Sequence, residues 1–293
     1  MSTGRIGIIG GSGFYSLPDL TVKEEVALET PWGIPSRPLV VADLAGREVV
    51  FLARHGKGHR LLPHEVNYRA NIAALAHLGC REVFAFSAVG SLREELAPLD
   101  FVLPDQLIDR TRTRSSTFFG EGVAGHVAFA DPYCGRLADV AAAAGAELGI
   151  TVHRRETLVC IEGPTFSTRA ESLLYRSWGA GVINMSALPE ARLAREAELC
   201  YCLVCMVTDY DCWRAGTDDV DIGAILENLA KNARTAAQLL RKIVERAAGE
   251  RTCACGAAAH KAIITAAAER DRRQEERLRY VLDDVLNGET KEQ

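Results

Sequence analysis

Short apolar runs that stop at glycine or at charge, separated by stretches with helical spacing, set the rhythm of this chain. Residues 5–10 read as a strand running into a glycine-rich turn, and residues 39–53 as two strands joined around Gly46. Residues 83–92 repeat the strand-into-glycine-turn pattern, and shorter strands follow at 157–161, 181–183 and 202–207. Between them, apolar periodicity predicts helices over 65–78, 138–148 and 222–246. The last segment, 269–286, is highly charged. Leu278, Val281, Leu282, Val285 and Leu286 nevertheless share one helical stripe, which predicts an amphipathic helix docked on the body or on a neighbour. Strand, turn and helix keep alternating, so the expected class is α/β, a single domain with a largely parallel or mixed β-sheet flanked by helices. The expected division is a catalytic domain over residues 1–250 and a C-terminal extension over 251–293.

The run Cys202-Leu203-Val204-Cys205-Met206-Val207 has the continuous apolar character of a buried strand, and it ends at two carboxylates, Asp209 and Asp211. Ligands in open α/β sheets sit outside the carboxyl ends of strands, which makes the two acids candidate site residues. If the strand continues, both point to one face; alternatively Asp211 caps a turn and Asp209 is solvated. The turn Gly10-Gly11-Ser12-Gly13 lets backbone N–H groups approach an anion, with the Ser12 hydroxyl as a further donor. A dinucleotide site would need a helix after that turn, and Pro18 interrupts one. Arg54-His55-Gly56-Lys57-Gly58-His59 follows the second strand of the 39–53 pair, and its Arg and His side chains suit a bound oxyanion.

Composition narrows the function classes. The chain has 293 residues, 48% hydrophobic and 25% charged, with a formal net charge of −5, which argues against a protein held to nucleic acid by phosphate contacts. No apolar run is long enough to span a bilayer, and the N-terminus has no signal-peptide pattern, so a cytoplasmic location is expected. Nine cysteines are scattered rather than framing short loops. Cys202 and Cys205 have a metal-like spacing, but a strand aims them in opposite directions, and no metal is expected there. Cys253-Ala254-Cys255 could form a strained disulfide, bind a metal with a distant partner, or do neither.

Several motifs, taken in order, carry a resemblance. They are Gly7-Ile8-Ile9-Gly10-Gly11-Ser12-Gly13, Ala53-Arg54-His55-Gly56, Val66-Asn67-Tyr68-Arg69-Ala70-Asn71, Gly90-Ser91-Leu92-Arg93, Glu162-Gly163-Pro164-Thr165-Phe166-Ser167, Ile183-Asn184-Met185-Ser186 and Thr208-Asp209-Tyr210-Asp211-Cys212-Trp213. Spanning roughly residues 4 to 245, the set resembles the 5′-methylthioadenosine phosphorylases, a branch of the trimeric nucleoside phosphorylases. The resemblance implies a nucleoside phosphorylase-like fold, a homotrimer or hexamer with active sites near subunit interfaces, and phosphorolysis to adenine and 5-methylthioribose 1-phosphate in methionine and purine salvage. It places phosphate against Ser12, Arg54, His55, the Ala88 backbone and Ser186. It stacks Phe166 on the base, sets Met185 against the ribose, and assigns Ser167, Asp209 and Asp211 to the purine edge. His59, Ile222, Ile225 and Leu226 would line the methylthio pocket, with His126 reaching in from an adjoining subunit. In archaeal members of the family the counterpart of the Cys253/Cys255 pair can be a disulfide.

The residue types suit that chemistry. Adenine leaves poorly as an anion, so a carboxyl group held protonated in a desolvated pocket can donate toward N7 as the glycosidic bond lengthens. Asp209 is the candidate acid and Asp211 its support. Phosphorylases of 6-oxopurines typically carry Glu in place of Ser167 and Asn in place of Asp209, so this pair favours a 6-aminopurine. No metal or organic cofactor is expected, since inorganic phosphate is a co-substrate. The expected partners are a nucleoside and phosphate, with no nucleic acid polymer and no membrane. Two alternatives stay open: a broader purine nucleoside phosphorylase acting on adenosine, 5′-deoxyadenosine or methylthioinosine, and a nucleoside-binding module without turnover.

Overall fold

A computed structural model of the chain describes residues 4–10, 19–214, 222–247 and 251–289. Nine strands form one mixed sheet among these residues. They are β1 (Arg5–Gly10), β2 (Thr21–Val26), β3 (Leu39–Leu44), β4 (Arg47–Ala53), β5 (Cys80–Ser91), β6 (Phe101–Arg110), β7 (Val152–Ile161), β8 (Ala180–Asn184) and β9 (Cys200–Asp209). The spatial order is β2-β3-β4-β1-β5-β8-β7-β6-β9, and β9 pairs back onto β5, so one half of the sheet closes on itself. Long β5 makes this closure possible. Its first part runs parallel to β1 and β9, while Gly90 and Ser91 at its end pair antiparallel with β8.

Period-two alternation divides β9 cleanly. Tyr201, Leu203, Cys205 and Val207 enter one apolar layer, and Cys200, Cys202, Val204 and Met206 the other. Cys202 and Cys205 therefore lie on opposite sides of the sheet. The first layer is covered by α1 (Tyr68–His77), α4 (Glu190–Glu196) and α6 (Arg272–Glu289), through Ile72, Leu75, Leu193, Leu278 and Leu286. The second is covered by α2 (Gly135–Glu147) and α5 (Ile222–Arg246), through Leu137, Ala141, Leu239, Leu240 and Ile243. One further helix, α3 (Arg169–Ser177), begins at a capping box in which Thr168 and Glu171 satisfy each other's backbone N–H groups.

The structure corrects one reading of the pattern. Residues 83–92 do not end in a glycine turn, because β5 runs on through Gly90 to Ser91. Gly90 sits in a crowded place: a Cβ would stand 3.1 Å from Ile183, 3.3 Å from Asp209 Oδ1 and 3.4 Å from the Asp211 Cβ. The glycine-rich turn after β1, and Ser12 with it, lies outside the described residues. No helix among the described residues is long and apolar enough to cross a membrane.

Candidate active site

A cavity of about 610 Å³ opens where the carboxyl ends of β1, β4, β5, β7, β8 and β9 converge, and α5 closes one side. It gathers Arg54, His55, His59, Ala88, Phe166, Ser167, Met185, Ser186, Asp209, Asp211, Ile225 and Leu226 into one lining. Three expected residues are not in this lining, and one of them, Ser12, lies outside the described residues. His126 is exposed and does not line the cavity of its own chain; its backbone N–H donates to the Ala262 carbonyl. The side chain of Ile222 lies outside the described residues.

One corner is built around a buried cation. Arg54 directly follows β4 and is only 3% exposed. Its Nε and Nη2 donate to the two carboxylate oxygens of Glu190, each at 2.7 Å, and its Nη1 to the Phe86 carbonyl at 2.9 Å. Burial disfavours the charge, but the fully buried Glu190 beside it more than offsets this and holds Arg54 protonated. Tyr201 donates to the same Glu190 oxygen at 2.7 Å, fixing the pair. Arg54 thus presents a rigid cation whose geometry is set from behind, and its remaining N–H groups line the cavity. Next to it the Ser87 and Ser186 hydroxyls lie 3.1 Å apart, and Asn184 Nδ2 donates to Ser87 Oγ at 3.1 Å. Ala88 is exposed although it sits mid-sheet, because it faces the cavity.

His55 changes role. Its Nδ1 lies 2.9 Å from the Leu61 carbonyl, which only accepts, so Nδ1 carries the proton. Burial first, then the Arg54 charge, push its pKa down to about 4. His55 is therefore neutral near pH 7, and its Nε2 is an acceptor. The sequence reading set the His55 ring beside a bound oxyanion; here the neutral ring offers Nε2 to the cavity as an acceptor. His59 stacks on it with ring centroids 4.2 Å apart.

The opposite chemistry lies at the end of β9. Burial, opposed by a hydrogen bond from Thr208 and reinforced by the nearby Asp211 charge, pushes the Asp209 carboxyl up to about 6. Thr208 Oγ1 is 2.7 Å from Asp209 Oδ2 and 3.1 Å from the Val89 carbonyl. Asp211 is also raised by burial. The Ser172 hydroxyl beside it acts in the opposite direction, yet Asp211 Oδ2 and Ser172 Oγ are both buried without a hydrogen-bond partner among the described residues. Ser167 Oγ is buried and unpartnered in the same way. Orphaned polar atoms cost free energy unless something enters to pair them, and Ser167 and Asp211 both line the cavity.

Several positioning residues carried no signal in the sequence reading. Arg114 is buried and donates to the carbonyls of Glu162 and Leu188 at 2.6 Å and of Met185 at 2.7 Å, tying the Phe166 loop to the segment after β8. Gly163 has a φ of +66°, and a Cβ on it would stand 2.4 Å from Met185 Sδ, so the loop needs glycine twice over. On α5, Asn228 donates to the Thr208 carbonyl and Asn232 to the Val207 carbonyl, both at 2.8 Å, one helical turn apart. These amides seat the helix against the strand that carries the two acids.

A strand-end cavity with a buried cation, a raised carboxyl group and unpaired polar atoms can be compared with known proteins. The model of the phosphorylase superfamily matches residues 5–245. A curated relative from Koribacter versatilis, an S-methyl-5′-thioadenosine phosphorylase, is 55% identical over 261 residues, covering 89% of each chain. The chain belongs to this family. A second relative of the same name, from Geobacter sulfurreducens, is 50% identical over 278 residues, 94% of this chain and 97% of its own. Among solved structures, a methylthioadenosine phosphorylase sourced from an Antarctic soil metagenomic library superposes with a TM-score of 0.91 at 45% identity, over 96% of this chain and 100% of that one. The family's fold, a mixed sheet flanked by helices in one domain, is the fold described above.

Proposed function

We propose that the protein cleaves 5′-methylthioadenosine by phosphorolysis, giving adenine and 5-methylthioribose 1-phosphate. The observation that carries this reading is one cavity lined both by an acid, Asp209, raised to about 6, and by the Arg54–Ser87–Ser186 group. Phosphate binds against Arg54, Ser186, the Ala88 backbone and Ser12, and a phosphate O–H donates to His55 Nε2. Adenine stacks on Phe166, with Ser167 Oγ and the two carboxyl groups along its edge. As the bond from C1′ to N9 lengthens, its electron pair moves into the purine and Asp209 delivers a proton to N7. A phosphate oxygen closes on the cationic sugar, whose charge it stabilises at short range. Residues of this chain and the phosphate supply everything these steps require, so no cofactor is invoked.

The methylthio group belongs at the apolar side formed by Ile225 and Leu226 with His59. We further propose a homotrimer in the cytoplasm, in which His126 completes the 5′ end of a neighbour's pocket. Its exposure supports this, as do the exposed Leu173 and Leu174 on α3. The test is adenine release from methylthioadenosine with and without phosphate, followed by kcat/KM for methylthioadenosine, adenosine, 5′-deoxyadenosine and methylthioinosine. Release that depends on phosphate, with methylthioadenosine preferred over adenosine by roughly 10–200-fold, is expected from one apolar pocket contact. Release that persists without phosphate indicates a hydrolase, and preference for the inosine analogue overturns the assignment of the purine edge.

A further inference from the structure

Four of the nine cysteines meet well away from the cavity. Cys134 is the N-cap of α2, Cys200 opens β9, and Cys253 and Cys255 belong to the segment that follows α5. Their four sulfur atoms all lie within 4.8 Å of one another. Cys253 Sγ is 3.2 Å from Cys200 Sγ and 3.7 Å from Cys134 Sγ. Four thiolates at zinc–sulfur distances of about 2.3 Å define a tetrahedron with edges of about 3.8 Å, which is the size of this cluster. Cys253 approaches two other sulfurs at once, as ligands around a shared central ion do. All four are free thiols, and Cys134, Cys200 and Cys255 are buried.

The surroundings carry the matching charge. Arg251 Nε donates to Cys200 Sγ at 3.1 Å, and Arg136 Nη2 approaches the same sulfur at 3.9 Å. A divalent cation on four thiolates keeps two negative charges; the Arg251 guanidinium faces them directly, while Arg136 Nη2 also donates to Glu82. Gly256, next to Cys255, lies close under the Arg251 guanidinium: a Cβ there would stand 2.9 Å from Nη1.

We propose that Cys134, Cys200, Cys253 and Cys255 bind one zinc ion, a structural site that clamps the C-terminal segment to the start of α2 and β9. An all-sulfur tetrahedral set selects zinc over harder cations, and binding releases the thiol protons to solvent. This departs from the sequence expectation of a chain without metal. The ion has no part in the reaction proposed above, since none of the four cysteines lines the cavity.

The test is elemental analysis of the full-length, tag-free protein together with titration of its thiols under denaturing conditions with chelator. One zinc per chain and nine reactive thiols are expected, and the Cys253→Ser/Cys255→Ser double variant is expected to hold less than a tenth of that zinc. Should the double variant fail to fold, wild-type protein refolded with cobalt in place of zinc reads out the same site, by the intense visible bands of tetrahedral cobalt thiolate. Metal-free protein, iron in place of zinc, disulfides among these four cysteines, or undiminished zinc in a folded double variant would each overturn the proposal.

Discussion

Asp209 shows how one residue trades stability for chemistry. Burial raises its carboxyl to about 6, so the folded state binds the proton more tightly than the unfolded chain does. The sign follows directly: any stability owed to this group is fully present below its unfolded pKa near 4 and is lost as pH rises through about 6. Asp209→Asn is therefore expected to melt higher than wild type near pH 8 and at a similar temperature near pH 4, while its kcat on methylthioadenosine falls by more than tenfold. Turnover near normal would remove Asp209 from the acid's role. Thr208 provides a finer check. Its hydroxyl, 2.7 Å from Oδ2, favours the carboxylate, so Thr208→Val is expected to move the alkaline limb of the kcat/KM profile to higher pH. The wild-type limb should fall above about 6, because kcat/KM reports the free enzyme.

Glu190 and Arg114 mark where single residues stop being legible. Nothing in sequence spacing links Arg54 to a glutamate 136 positions away, and only the folded chain brings them together. Asp209, Asp211 and Arg54 could be flagged because each stands at the end of an apolar run. A lone charged residue in a loop, as Arg114, or at the start of a short helix, as Glu190, carries no such mark, whatever it holds together.

At the scale of elements, periodicity was readable wherever an element buries one face. The helix over 222–246 declared itself in this way, whereas the strands of 39–53 and 202–207, buried on both faces, stood out as continuous apolar runs. Strand β2 did not, because Thr21, Val22, Lys23, Glu24 and Glu25 are all exposed and leave no alternation to read. Strand β6 carries Pro104 and turns polar after it. Helix α3 exposes Leu173 and Leu174, which blurs its apolar face, although the Thr168/Glu171 capping box was a usable signal. The Phe166 loop depends on a staple from elsewhere. Arg114→Met would leave the carbonyls of Glu162, Met185 and Leu188 without their donor, at about 1–3 kcal/mol for each group that stays buried. A lower urea midpoint is expected, and KM for the nucleoside should rise at least as much as kcat falls, because the loop positions the base rather than the proton. A variant with unchanged KM would show that the loop holds its shape without Arg114.

For the molecule as a whole, the C-terminal helix decides whether the chain is a catalytic body with an appendage or one cooperative unit. The sequence offered its amphipathic stripe but could not say what the stripe covers, since that depends on which apolar layer is left open. In the structure Leu278, Leu282, Val285 and Leu286 enter the same layer as Ile72 and Leu75 of α1 and Leu203 of β9. Four buried aliphatic side chains at about 1.5–3 kcal/mol each are comparable with the whole stability of a typical domain, about 5–15 kcal/mol. Helix α6 is on these numbers part of the core. Leu278 is fully buried, so Leu278→Ala is expected to cost about 2–5 kcal/mol in urea unfolding, in a single transition that also reports loss of the sheet. Because α6 contributes no side chain to the cavity, kcat/KM of the folded variant at 25 °C should stay within about twofold of wild type. Two separate unfolding transitions, with α6 lost first and the sheet unaffected, would instead establish the last segment as an appendage.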